Sequence, residues 1–318
     1  MKNNLIYYFF DVDGTLLCHG GKKLQKGVTP LLESINNCGG QVVFISASNY
    51  LEIKNFLQLV YQNSNLNEEN FHPIIASNGG SFIKEFDIYM PIDSSLFKKV
   101  KRVVNYVDPS AIFVLRTQNN TFVDSALDAE SMKLFFKKSG KKIATEILVK
   151  LNRFTLNAIV LREPQIDALL EKNLILSMNI ISLKSKEIAF LLKQKISGIS
   201  VSASGPYVDF SRANKLDVIK FFVNKFNLRQ ENCAMFGDSY NDTDALCFCG
   251  FGALCNPKRN RLDLVEKVTA QPNHYATFDL TSLIDAATNK EFDSLDLLNE
   301  TTQVHKAMKK PNGRTFVK

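Results

Sequence analysis

The sequence predicts an α/β protein: a doubly wound, mostly parallel sheet into which a second, α+β domain is inserted. Three observations carry that expectation. Apolar runs of strand length alternate with segments of helical spacing up to about Ala76, the texture then changes to shorter segments, and the first pattern returns after Asp209. A chain of 318 residues, 45% of them hydrophobic, is long enough to bury one large core and a smaller second one.

Taken in order, Leu5 to Phe10 is a buried strand that stops at the turn Asp11 to Gly14. Leu31, Leu32 and Ile35 recur at helical spacing until Gly39 and Gly40 end the helix, and Val42 to Ile45 makes a second buried strand. Leu51 to Val60 is the next helix and Pro73 to Ala76 the next strand. Strands separated by helices pair in parallel, and ligands bind beyond the carboxyl ends of such strands. After Asn78, Gly79 and Gly80 the expected strands are Ile112 to Arg116, Thr121 to Asp124 and Thr155 to Leu161, with helices between them. From Asp209 the opening pattern resumes with a helix at Lys215 to Phe226, a strand at Cys233 to Phe236 and a helix beginning near Asn241. The expected division is a core in two parts, residues 1–92 and 205–290, an insertion at 93–204, and a basic, loosely ordered tail at 291–318 that contains Pro311 and Gly313.

The longest early apolar run ends at Asp11, far short of the roughly 18 residues of a membrane span, and is too short for a secretory leader, so the expectation is a cytoplasmic protein. In that compartment Cys18, Cys38, Cys233, Cys247, Cys249 and Cys255 read as free, mostly buried thiols; Cys247, Cys249 and Cys255 lack the CxxC pair or clustered histidines of a zinc site. The net charge of +7 is uneven: residues 93–204 carry +8, residues 301–318 carry +5, and the remainder is six units negative. An acidic, metal-binding core beside a basic insertion suits a small anionic substrate, although lysines that merely solvate helix faces would give the same count. No aromatic-basic recognition motif accompanies the charge, so nucleic-acid binding is not expected, nor is membrane association.

Asp11-Val12-Asp13-Gly14-Thr15 places two carboxylates just past a buried strand, where a ligand would sit. An Asp-Gly turn alone would be structural as readily as functional. Two aspartates spaced by one residue can divide a task, one attacking phosphorus and the other moving a proton, which makes Asp11 the candidate nucleophile and Asp13 the candidate acid/base. Carboxylate attack on a phosphate ester meets anion repulsion, so a cation is needed; Mg2+ takes oxygen ligands and calls for further carboxylates from elsewhere in the chain. Asp238, directly after the Cys233 to Phe236 strand, is the best additional ligand. Asn241 and Asp242 either orient a metal-bound water or a lysine, or simply cap the following helix. Ser46, after its own strand, offers a hydroxyl and nearby amides to a phosphoryl group, and Val12 and Ala47 are grouped with it on the phosphate. Lys215 opens a helix from which an ammonium could offset charge on both Asp11 and phosphate, though a lone lysine is more often solvated.

In order along the chain, FFDVDGTLL, VVFISAS, ASNGG, Asn214-Lys215 and FGDSYND resemble the four-motif signature of the haloacid dehalogenase superfamily. The resemblance implies a Rossmann-like core, a phosphoenzyme on Asp11, acid/base work by Asp13, and Mg2+ held by Asp11, the main-chain carbonyl of Asp13, and Asp238. It also implies phosphate contacts from Ser46, Lys215 and Asn241, with Gly14, Thr15, Asn78, Gly79 and Asp242 in support. The SNGG segment and the long insertion are similar to the Cof-type, class IIB branch, whose inserted domain is an α+β cap that closes over the site. Ser46-Ala47-Ser48 stands where that branch more often has Thr-Gly-Arg: the hydroxyl is kept and the arginine is not. The expected activity is hydrolysis of a small phosphorylated metabolite, a sugar phosphate or similar. Phosphosugar mutation, as in phosphomannomutases of the same class, and ligand binding without catalysis are the alternatives. Substrate identity and oligomeric state have no signature in the sequence.

Overall fold

The computed structural model describes residues 7–18, 23–83, 90–124, 159–257, 261–283 and 295–309. Leu5, Ile6 and residues 155–158 of the expected strands, and residues 291–294 and 310–318 of the expected tail, lie outside them. The chain folds as two compact units, Met1–Ser46 with Glu52–Ile75 and Lys215–Lys318, and Ala47–Leu51 with Ala76–Asn214.

The first unit is built on six parallel strands: β1 (Tyr7–Phe10), β2 (Gln41–Ile45), β3 (Phe71–Ala76), β11 (Cys233–Gly237), β12 (Phe251–Cys255) and β13 (His274–Thr277). They run in the order β13-β12-β11-β1-β2-β3. The helices α1 (Val28–Asn37), α2 (Tyr50–Gln62), α6 (Lys215–Lys225), α7 (Thr243–Phe248) and α8 (Leu262–Thr269) connect them. In α1 the buried residues Val28, Leu31, Leu32 and Ile35 fall at i, i+3, i+4 and i+7, the stripe that turns one helix face to a sheet. All four are fully buried, and each contributes about 1.5–3 kcal/mol by leaving water. Ile53, Phe56, Leu57 and Val60 repeat the pattern in α2. The central strands read as continuous apolar runs because both their faces are covered; Phe10 and Phe236 stack across the β1–β11 pair with ring centroids 4.3 Å apart. The register sets Phe10 opposite both Phe44 and Phe236. Asp11, the Ser46 end of β2 and the Asp238 end of β11 therefore emerge side by side.

The sequence expectation of a loosely ordered tail fails over its first half, since Leu295–Lys309 is a helix, α9. Thr301, Val304 and Met308 are buried at i, i+3 and i+7, and the Thr301 hydroxyl both donates to the Ala276 carbonyl (3.3 Å) and accepts from its amide (3.1 Å). Of the basic residues that suggested a free tail, Lys306 lies on the exposed side of this helix.

The second unit contains β4 (Ser81–Ile83) and a six-stranded sheet of β5 (Ile112–Arg116), β6 (Thr121–Asp124), β7 (Ile159–Leu161), β8 (Ser177–Ile181), β9 (Ser200–Ser204) and β10 (Tyr207–Ser211). Its order is β7-β6-β5-β8-β10-β9, antiparallel except between β6 and β7. Helices α3 (Ser94–Val107), α4 (Glu163–Glu171) and α5 (Ser185–Lys195) cover one face, burying Leu96, Val100, Ile166 and Ile188 against Leu115, Met178 and Phe210. Asp93 starts α3 by accepting the Leu96 amide at 2.8 Å. Asp209 belongs to this sheet, paired with Asn179 of β8 and Ser202 of β9, so the parallel pattern resumes at Lys215 and not at Asp209. The unit accordingly spans Ala76–Asn214 plus Ala47–Leu51, wider than 93–204. No helix among the described residues is long and apolar enough to cross a membrane.

Candidate active site

At the carboxyl ends of β1 and β11, one carboxylate oxygen from each of Asp11, Asp238 and Asp242 lies within 4.8 Å of the others. All three side chains are buried. Asp11 follows β1 directly and its amide donates to the Phe236 carbonyl at 2.8 Å, which ties the start of the loop to β11. Gly14 turns the loop with φ +90, and a Cβ on it would come within 2.4 Å of Asp238 Oδ2. Only glycine lets the backbone of this turn lie against that carboxylate. Gly237 plays the same part behind Asp242, whose Cβ would be 2.5 Å from an added Cβ.

Lys215, only 1% exposed, opens α6 and joins two of the three carboxylates, with Nζ 2.5 Å from both Asp11 Oδ1 and Asp242 Oδ1. Asp242 Oδ2 accepts from the amides of Asp238 (3.1 Å) and Ser239 (3.0 Å) and from the Ser239 hydroxyl (2.9 Å). Asp242 stands at the start of α7 but makes no side-chain cap bond to it. The capping alternative for Asp242 therefore fails, because its carboxylate is spent on the lysine and on the Asp238 loop. Asn241 is half-buried and accepts from the Ser239 hydroxyl. The Thr15 hydroxyl donates to Asp11 Oδ2 at 3.3 Å.

Burial pushes the Asp11 carboxyl well above the ordinary carboxylate range; Lys215 pulls it down, while Asp242 and Asp238 add to the rise. Burial likewise works against the charge on Lys215, but Asp11 and Asp242 outweigh it and raise that pKa. Lys215 meets two of these three buried carboxylates, and the hard oxygen ligands of the cluster fit a divalent cation such as Mg2+.

Asp13 is half-buried in the same turn, bridged to Leu17, and Val12 is buried beside it. Ser46 is buried after β2, and its amide donates to the Ile75 carbonyl at 3.0 Å, so a role toward a ligand falls to its hydroxyl. Ala47, Asn78 and Gly79 belong to the second unit. There the Ala47 carbonyl accepts from Arg116 Nη1 at 2.6 Å, and Asn78 and Gly79 form a turn with φ of 55 and 100. Three residues escaped the sequence reading. Arg261, buried at the start of α8, donates to the Asp238 carbonyl at 3.3 Å and lies over the Tyr240 ring, 5.2 Å from its centroid. Gln25 and Asn256 donate to the Gly14 carbonyl at 3.3 and 3.4 Å. None of the three sits in a motif; only the fold brings them near.

Residues 8–276 match the family of haloacid dehalogenase-like hydrolases. The chain belongs to that family. This haloacid dehalogenase-like hydrolase is 26% identical over 245 residues to a Mycoplasma genitalium protein named "Putative phosphatase MG265", covering 74% of this chain and 81% of that one. Among solved structures it is similar to BT1666 of Bacteroides thetaiotaomicron, from a study of haloalkanoate superfamily phosphatases, with a TM-score of 0.66 at 16% identity over 91% of this chain and 96% of the other. It is also similar to the subclass IIB sugar phosphatase BT4131, with a TM-score of 0.58 at 17% identity over 86% and 93% of the two chains. The Rossmann-like core with a separate antiparallel sheet is the fold of these neighbours.

Proposed function

We propose that the protein is a Mg2+-dependent phosphatase that hydrolyses a small phosphorylated metabolite, such as a sugar phosphate, through an aspartyl-phosphate on Asp11. The observation that carries this reading is the buried cluster of Asp11, Asp238 and Asp242 around Lys215. The name of the Mycoplasma relative and the sugar phosphatase among the fold neighbours support it.

Asp11 Oδ attacks phosphorus, forming a carboxylate–phosphorus bond as the ester oxygen departs, and Asp13 gives that oxygen its proton. In the second half Asp13 takes a proton from water, which attacks the same phosphorus and returns Asp11 as a carboxylate with inorganic phosphate released. Lys215 holds Asp11 in one rotamer and offsets charge on the phosphoryl oxygens, and Asp242 fixes that lysine while gripping the amides that set the Asp238 loop. The Ser46 hydroxyl, with the Val12 region and Asn241, would steady the phosphoryl group. Asp11, Asp238 and the Asp13 carbonyl would hold Mg2+. When bound, the ion neutralises phosphate oxygens and aligns them for in-line displacement. We place the enzyme in the cytoplasm, which its six free thiols support.

Replacing Asp11→Asn tests the reading. Release of phosphate from a generic aryl phosphate with magnesium present should disappear, with the circular-dichroism spectrum unchanged. Equal turnover by wild type and variant would remove Asp11 from the nucleophile role.

A further inference from the structure

Helices α3 and α5 of the second unit pack against each other, tied by Lys184 Nζ, which donates to the Val107 carbonyl at 2.8 Å. Between them runs a groove of about 330 Å3 lined by Lys99, Arg102, Val103, Tyr106, Lys195 and Ile196. Lys99, Arg102 and Tyr106 fall at i, i+3 and i+7 of α3 and so make one ridge. Lys195 ends α5 and brings its Nζ to 5.6 Å from the centre of the Tyr106 ring. Val103 and Ile196 form the floor, each less than a tenth exposed.

Charge sets this groove apart. Its lining holds three cations and no acid. Among the described residues none of the three has a carboxylate within ion-pair distance, whereas Lys101 of the same helix meets Glu163 at 2.9 Å and Asp124 at 4.0 Å. Like charges gathered around one recess attract an anion. The main-chain groups of both helices are spent inside the helices, so an extended peptide would find no backbone partner there and recognition falls to side chains. The nearly covered floor offers too little apolar surface to seat the stripe of an amphipathic helix. The volume is that of a small-molecule site, at the lower end of the usual range of about 300–1,000 Å3. A guanidinium such as that of Arg102 can meet two phosphate oxygens at once, and the lysines add point charges. Tyr106 is 80% exposed, which leaves the ring face away from Lys195 open to a flat partner. A phosphate alone would have no use for that ring.

We propose that this groove binds a nucleoside triphosphate, with Lys99, Arg102 and Lys195 on the phosphates and the base stacked on Tyr106. The site lies wholly within the second unit, shares no residue with the cluster around Asp11, and does not rest on the phosphatase reading.

Equilibrium dialysis of the intact protein against ATP, with excess EDTA to remove magnesium, tests the proposal. The double variant Lys99→Ala, Arg102→Ala should bind ATP about tenfold or more weakly, because charge-assisted bonds to phosphate are lost. Tyr106→Ala should weaken ATP about fivefold or more, the scale of one base stacked on an aromatic ring, and should leave the binding of inorganic tripolyphosphate unchanged. Lys98→Ala, an exposed lysine of the same helix outside the groove, should bind ATP as the wild type does. The replaced side chains are all exposed, so the Tm of every variant should match that of the wild type. No retention of ATP by the wild type, full retention by either groove variant, or an equal loss in Lys98→Ala would overturn the assignment. So would tripolyphosphate or a polyglutamate peptide bound as tightly as ATP, since the groove would then read charge alone.

Discussion

Lys215 shows how one side chain organises the proposed site. Its ammonium is buried with two carboxylates at 2.5 Å, and truncation leaves Asp11 and Asp242 facing each other without a counter-ion. Breaking a buried pair by removing one partner typically costs about 3–5 kcal/mol. Lys215→Met should therefore lower the Tm of the metal-free protein sharply, with part of the loss restored by adding magnesium. Its activity should fall by about 100-fold or more, the scale of losing one preorganised charge at a phosphoryl group. Thermal melts with and without magnesium check the first part and initial rates the second. A neutral effect on both would mean the lysine is ornamental. At this scale the sequence was informative where residues sit in motifs: Asp11 and Asp238 could be named because acids directly after apolar runs are visible in one dimension, and Lys215 through the Asn214-Lys215 part of the family resemblance. Arg261, Gln25 and Asn256 could not, because their partners are main-chain carbonyls of Asp238 and Gly14. No side-chain spacing encodes a contact to a backbone 11 to 242 positions away.

Elements were legible to the extent that their periodicity was. Strands β1, β2, β5, β6 and β11 announce themselves as apolar runs, and α1 and α2 by their i, i+3, i+4, i+7 stripes. Helix α9 was missed because Pro311, Gly313 and the lysines nearby dominate the composition, while one of its described buried positions, Thr301 beside Val304 and Met308, is polar. The segment of β10 was counted with the core, whose second part was expected from residue 205, because an alternating five-residue strand reads alike in a parallel or an antiparallel setting. α9 also has a physical task. β13 is the outer strand of the order, and Thr301 occupies both main-chain groups of Ala276. Occupying edge groups guards against pairing with another chain. Thr301→Val keeps the shape but leaves both groups of Ala276 without that hydroxyl. It should destabilise the first unit by about 1–3 kcal/mol, measured by urea titration, and increase aggregation on heating. Unchanged stability would show that α9 docks without using this bond.

Across the whole molecule, each of the two units carries its own core, and they should respond differently to acid. In the second unit Asp108 is desolvated, which alone would raise its pKa, but bonds from Ser110 and Ser182 and the charge of Lys184 hold it below the ordinary carboxylate range. A carboxyl depressed in the folded state contributes stability above its unfolded pKa and loses it as pH falls through the folded one. Acidification below about pH 4 should thus weaken the second unit, and Asp108→Asn should flatten that part of the profile when melting is followed from neutral to low pH. A steeper profile in the variant would reverse the sign assigned to this group. The central claim concerns the first unit: the proposal that a covalent acyl phosphate forms on Asp11 during turnover. Borohydride reduces an acyl phosphate to an alcohol, converting the aspartate that carried it to homoserine. Quenching the working enzyme with borohydride and sequencing its peptides by mass spectrometry should find homoserine at position 11, and only with substrate and magnesium both present. Ongoing phosphate release with Asp11 intact, or homoserine at another aspartate, would contradict the account.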